Sequence, residues 1–420
     1  MRGSTAGLAE GTIVSPDSIH ASFLVFLDVM FASVIASPIV VAYWRGTWNL
    51  MFWVLFPNDL FWSAISSCAI GTIGHFIFFL YQEKFSRNFH PDKHRITFML
   101  ISRIYTAIYA VICVNGWRGL WLILDIYVPQ SIYILFLITF ASSILLVLCK
   151  GLRNISSTPF AISTDHSKDY FVVPTMFKAS ATSEPAFYFF DCAFSVLVIG
   201  TLVVFVWRSL WVICDLLIYP DEPSSSAFGS LAIGYGIVAV TFALQSLMKW
   251  ACDRLTGAWR IAVADAFLFF SFVGTVNLWR GVWNLCDYYF LPDEKLMSNL
   301  ISHGVSFVLL AMLNCSNSVL VRGVYIDAEE PAGQCVVFPI YYIRLFFQRE
   351  RVKKQRRLHD TLEKGDQHET FLEKSDKNSI TNINSTKSIE MIPMANNRIL
   401  NDHNETIIIN CVNGEHKLSQ

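Results

Sequence analysis

Charge is scarce in this chain. Only 15% of its 420 residues are Asp, Glu, Lys or Arg, against 54% hydrophobic, and the mean hydropathy is +0.44. That composition excludes an ordinary soluble globular protein. Net charge is nearly absent too, at −1, and says nothing about a nucleic-acid or acidic partner; no nucleic acid is expected as a partner. Catalytic signatures are missing: there is no P-loop, no HExxH, no GxSxG elbow and no clustering of His with acidic residues on consecutive apolar runs. An enzyme is therefore the least expected class, and neither a cofactor nor a metal is expected. His90 and His94 stand four apart, but the proline after His90 disfavours a helical metal pair, and His75 and His303 read as hydrogen-bonded packing residues. The ten cysteines form no disulfide framework, since Cys68, Cys113, Cys149, Cys192 and Cys315 lie in or beside apolar runs. Cys214 and Cys286 differ, occupying one place in two copies of a repeated motif, and could be bridged in an oxidising compartment.

Long apolar runs are what the chain has. Crossing ~30 Å of hydrocarbon takes roughly 20 apolar residues, and eight runs qualify: about 21–43, 62–81, 97–115, 131–149, 186–206, 227–249, 261–278 and 298–321. The first 20 residues are mixed and polar, and the first run is long enough to span, so it reads as a signal anchor rather than a cleaved signal. The expected fold is an all-α polytopic membrane helical bundle of about eight transmembrane helices. Connections 82–96, 150–185 and 249–260 carry 4, 4 and 3 Lys or Arg, while the alternate connections carry five in total. The positive-inside bias then places both termini in the cytosol.

One string recurs four times on the opposite side: WRGTWNLMFWVLFP from Trp44, WRGLWLILDIYVP from Trp117, WRSLWVICDLLIYP from Trp207 and WRGVWNLCDYYFLP from Trp279. Trp44 and Trp207, Pro57 and Pro220, and Asp28 and Asp191 are each 163 residues apart; Trp117 and Trp279, and Asp125 and Asp287, are 162 apart. The spacing implies four helix-hairpin repeats in two parallel halves, 21–149 and 186–321. An N-terminal segment (1–20), an inter-half loop (150–185), a juxtamembrane segment (322–357) and a tail (358–420) complete the organisation. Within each motif the paired tryptophans (Trp44 and Trp48, Trp117 and Trp121, Trp207 and Trp211, Trp279 and Trp283) share a helix face and read as interfacial anchors at hairpin corners. The arginines (Arg45, Arg118, Arg208, Arg280) could snorkel to phosphate. The small residue that follows permits close helix approach or a break. The aspartates seven residues beyond the arginines (Asp125, Asp215, Asp287) could pair with them within or between units. Copy one has Phe52 there, so any ring of ion pairs is incomplete.

Charges inside spans cost roughly 2.5–3.5 kcal/mol each at the bilayer centre, which singles out Asp28, Arg103, Asp191 and Asp265. Arg103 and Asp265 occupy equivalent positions with opposite signs. They suggest a network in which Arg103 pairs with aspartates across the bundle, and the alternative is snorkelling to the inner interface. Past the last span an apolar aromatic stretch from Cys335 runs into seven Lys or Arg between Arg344 and Arg357. The cations Arg351, Lys353, Lys354, Arg356 and Arg357 suit anionic inner-leaflet lipid or calmodulin, or simply fix topology. The tail from 358 is polar and reads as disordered, and the sequons at Asn154, Asn384 and Asn404 fall on the cytosolic side.

Four WRxxW strings on an eight-span chain with an inside tail resemble the Fuseless family of animal multi-pass membrane proteins, over roughly 21–321. The resemblance implies a presynaptic plasma-membrane protein that helps localise voltage-gated calcium channels at active zones. It maps no functional residues onto this chain. Repeats and buried charges point instead to a transporter or channel for a small solute or ion, and both readings stand at this point.

Overall fold

The computed structural model describes residues 19–90, 94–165, 170–327, 334–357 and 361. Nearly all of the expected N-terminal segment and of the tail, and the sequons at Asn384 and Asn404, lie outside the described residues. The chain divides into two units, Met1–Val352 and Lys353–Gln420. In the second, 353–357 are helical and exposed.

The first unit is all helix and loop among the described residues. Its main helices are α1 (Ser22–Val54), α2 (Leu60–Asn88), α3 (Arg95–Tyr127), α4 (Ile132–Leu148), α5 (Pro185–Leu217), α6 (Pro223–Arg254), α7 (Gly257–Tyr289) and α8 (Lys295–Met312). Seven are long and apolar enough to cross a membrane, and α4 is a shorter apolar helix of 17 residues. The expected last span, 298–321, is cut short. Helix α8 ends at Met312, where Asn314 turns left-handed (φ 53°) and the Cys315 amide bonds back to the Leu310 carbonyl. Lys150 (φ 53°) and Gly151 close α4 in the same way, a Schellman end that satisfies carbonyls the helix would otherwise leave open.

Helices α1, α3, α5 and α7 touch in a closed cycle at the centre, and α2, α4, α6 and α8 lie outside them. Each peripheral helix packs most closely on the central helix that follows it: α2 on α3, α4 on α5, α6 on α7, and α8 back on α1. The chain therefore closes as a ring. Tight pairing runs through the connections remote from the motifs rather than across the motif corners, which differs from the hairpin unit expected from sequence. Glycines make the pairing close: a Cβ on Gly119 would sit 2.4 Å from the Cys68 amide nitrogen, and one on Gly46 2.6 Å from that of His303. Ile73, Leu137, Phe140, Leu247 and Val308 point outward and exposed, as a lipid-facing surface requires.

At 33 residues, α3 is roughly 50 Å long, more than the ~30 Å of hydrocarbon. Helices α1 and α5 each contain a π-helical stretch, Phe31–Ala36 and Phe194–Ile199, at the same 163-residue offset as their tryptophans. In their described parts (149–165 and 170–184, 313–327 and 334–342), two connections fold inward from the end opposite the motifs and pack inside the ring.

Candidate functional site

The motifs are not corners. Each central helix runs six residues beyond its second tryptophan, to Val54, Tyr127, Leu217 or Tyr289. The turns then follow, with left-handed Phe56, Tyr219 and Leu291 directly before a proline in three of the four. The second turn differs because copy two is one residue shorter between its first Trp and its Pro.

The tryptophans face one another instead of lipid. Trp44, Trp117, Trp207 and Trp279 form a closed ring with centroid separations of 5.5, 5.5, 5.4 and 5.7 Å, every pair edge-to-face. One turn further along, Trp48, Trp121, Trp211 and Trp283 form a second ring at 5.6–5.9 Å. Spacing four on a helix places both indoles on one face, and here that face is the axis. Edge-to-face pairs add about 0.5–1.5 kcal/mol each beyond burial.

The arginines point the other way, between helices, and are buried. Each reaches back to the preceding unit's aspartate: Arg208 to Asp125 at 3.0 Å, Arg280 to Asp215 at 2.7 Å, and Arg45 round the closure to Asp287 at 2.6 Å. Arg118 meets Phe52, and its guanidinium lies 4.2 Å from that ring. Serines on the peripheral helices complete the coordination. Arg118 donates to Ser63 and Ser67, Arg280 to Ser226 and Ser230, and Arg45 to Ser298 and Ser302. On α4 the corresponding pair is Leu135 and Thr139, and two terminal nitrogens of Arg208 lack hydrogen-bond partners of acceptable geometry. Sequence reasoning missed these serines, although the i, i+4 pair after three of the four turns was a readable signal.

Of the four charges expected to form a network, none is paired with another. Asp28 accepts the amides of Tyr342 (3.0 Å) and Ile343 (2.5 Å) and pairs with Arg344. Asp191, its equivalent, accepts those of Phe177 (2.9 Å) and Ala179 (3.0 Å). Arg103 pairs at 2.9 Å with Asp165, a loop residue. Asp265 lies beside Asp327, Arg153 and Arg260, with Oδ2 buried and unbonded. The spans carry charge mainly to hold the inward-folded connections.

Those connections hold one another by exchange. Asp165 accepts the Ser316 and Asn317 amides at 2.9 and 2.8 Å, and Asp327 accepts those of Leu152 and Arg153 at 2.7 and 2.8 Å. Each carboxylate thus closes the short 3-10 turn of the other half, Ser316–Val319 or Leu152–Ile155. Burial pushes both carboxyls above their ordinary range; Arg103 opposes this at Asp165, and the bonded amides oppose it at both. The turns reach the first tryptophan ring: Trp44 donates to the Val319 carbonyl at 2.9 Å, Trp207 to Ile155 at 3.0 Å and Trp279 to Thr158 at 2.9 Å.

His303 shares a hydrogen with Thr47 (2.8 Å) and His75 with the Gly71 carbonyl (2.7 Å). Cys214 and Cys286 are free thiols, so the bridge considered from sequence is not formed. Arg351 is exposed in the first unit, and Lys353, Lys354, Arg356 and Arg357 are exposed in the second. No group of three or more metal-ligating side chains occurs among the described residues.

The model of the Fuseless family matches residues 23–320. The chain belongs to the Fuseless family. No curated protein and no solved structure matches it. The Fuseless match begins within α1 and ends at Leu320, so it takes in both tryptophan rings, the arginine lattice and Asp165. Asp327 and the basic stretch lie beyond it. Family membership and the apolar helices together make this a multi-pass membrane protein.

Proposed function

We propose that this Fuseless-family protein is a non-enzymatic organiser in the presynaptic plasma membrane that helps localise voltage-gated calcium channels at active zones. In this reading it has eight spans in two parallel halves, arisen by duplication, with both termini cytosolic and the basic stretch 344–357 on anionic inner-leaflet lipid. The observation that carries it is the packed axis: two edge-to-face tryptophan rings stand across the centre, and the inward connections bond to the first of them. A body whose axis is crossed by aromatic rings and tied to its own connections suits holding partners better than moving solutes. The employment of Asp28 and Asp191 in binding backbone amides argues the same way, since a transporter would need those charges for its cargo.

Changing Arg351, Lys353, Lys354, Arg356 and Arg357 to Gln should disperse co-clustered calcium channels while surface delivery is kept, because each cation near the membrane contributes ~1 kcal/mol. A transporter working through its core would keep solute flux in that variant and lose it on Asp28→Asn or Asp265→Asn. Intact clustering in the Gln variant with flux abolished in the aspartate variants would overturn the organiser reading.

A further inference from the structure

One further difference between the two halves opens a chamber. On α6, Tyr235 reaches across to α1 and donates its hydroxyl to the Ser33 carbonyl at 3.1 Å. The residue 163 positions earlier, on α2, is Thr72, too short to make that closure. Behind it lies a cavity of about 210 Å³ whose walls include Thr72, Trp117, Ser195, Leu197, Thr201 and Arg322. Leu197 is exposed on the outer surface of α5, so the cavity reaches the lipid-facing side between α2 and α5. Inward it adjoins a second cavity of about 200 Å³ lined by all eight motif tryptophans, with Trp117, Ser156 and Ser157 common to both.

Three of the polar residues on the chamber wall are short of a partner. Trp117 is the one indole of its ring with no protein acceptor among the described residues; the carbonyl that would correspond to its partner belongs to Arg322, as Thr158 follows Ile155 by three and Arg322 follows Val319 by three. Arg322 has no carboxylate within ion-pair distance among the described residues. Its guanidinium donates to the Tyr105 hydroxyl (3.2 Å) and the Tyr170 carbonyl (2.8 Å) and sits 5.6–6.0 Å from the Tyr105, Tyr109 and Tyr170 rings. The hydroxyl of Thr158, itself 1% exposed and on the chamber wall, has no partner. Among the described residues, a cation with no carboxylate in ion-pair distance, an indole N–H with no acceptor and a hydroxyl with no partner thus belong to residues that line a space whose mouth faces hydrocarbon.

We propose that this chamber binds a single-chain anionic amphiphile, a long-chain carboxylate that enters sideways from the bilayer between α2 and α5. The carboxylate is held by Arg322, and the chain lies along the Thr72 portal. A cation held by tyrosine rings, one hydroxyl and one carbonyl, and by no carboxylate among the described residues, gains from an anion where water is excluded. Entry from lipid selects a molecule with an apolar body, and a volume of about 210 Å³ favours one chain over two. The site is independent of the organiser reading.

The test uses full-length protein in phosphatidylcholine nanodiscs and measures tryptophan quenching by a chain-brominated stearate, with its methyl ester and with butyrate as comparators. Saturable quenching by the acid is expected, weakened at least about tenfold by Arg322→Gln, by esterification, and by Thr72→Tyr, which copies the closure found at Tyr235. Thr72→Tyr decides the matter should Arg322→Gln fail to fold. Equal quenching by acid and ester, or wild-type binding in Thr72→Tyr, would overturn the proposal. Butyrate displacing the acid at equal concentration would do so as well, because the ligand would then be an aqueous anion.

Discussion

At the residue scale, position 52 shows what the arginine lattice demands. Three arginines meet a carboxylate, while Arg118 meets a phenyl ring and keeps its Nε unbonded. A desolvated cation–π contact is worth up to about 2 kcal/mol, and a hydrogen bond to a charged group roughly 1.5–3 kcal/mol. The three native aspartates keep about a third or more of their side-chain surface exposed, so a carboxylate there is only partly desolvated. Phe52→Asp should therefore raise Tm by a small amount, about 2 °C, whereas Phe52→Ala should lower it. Scanning fluorimetry in detergent distinguishes the cases; a loss in Phe52→Asp as large as in Phe52→Ala would show that the ring itself is required. The seven-residue Arg-to-Asp spacing and its break at Phe52 were legible in the sequence. That the pairing runs to the preceding unit was not, because i, i+7 geometry permits contact within a helix as readily as between neighbours. The tryptophans were legible as a face but not as an axis, since an indole suits a membrane interface and a packed core for the same reason: an apolar body with one N–H.

At the scale of elements, the inward connections were the least legible part. They carry no helical or strand period, and a search for charges within spans overlooks Asp165 and Asp327, which stand in loops. Their 162-residue offset was nevertheless available. The partners of Asp28 and Asp191 were hidden for a different reason, namely that backbone amides have no signature in residue identity. The exchange of carboxylates between halves makes a directional expectation. Asp327→Ala removes acceptors from the Leu152 and Arg153 amides, at about 1–3 kcal/mol for each donor left buried and unpaired. Hydrogen–deuterium exchange should then rise around residues 152–158, in the other half of the chain, and Asp165→Ala should do the same around 316–319. Loss of protection confined to the neighbourhood of the altered residue would show that the two connections do not hold each other.

At the scale of the whole molecule, hydropathy made the all-helical membrane class readable, while ring closure was not. Nothing in a linear sequence says that α8 returns to α1, yet Arg45 depends on that return for Asp287, Ser298 and Ser302. The direction proposed for this ring in its membrane rests on charge. Lys and Arg concentrate in the connections 82–96, 150–185 and 249–260, while the turns after the tryptophan rings are poor in them, and cytosolic loops carry the excess. The natural sequon at Asn154 is a poor reporter, because its side chain is bonded to the Gly151 and Tyr325 carbonyls and accepts the Tyr325 amide. New sequons at exposed turns avoid that ambiguity. Asp293→Asn with Lys295→Thr creates one at the turn between α7 and α8, and His90→Thr creates one at Asn88, where α2 ends. If the tryptophan rings lie toward the cell exterior, only the first variant gains an endoglycosidase-sensitive glycan. A glycan on the second variant and none on the first would reverse the molecule in the membrane, place the basic stretch outside, and remove its access to anionic inner-leaflet lipid.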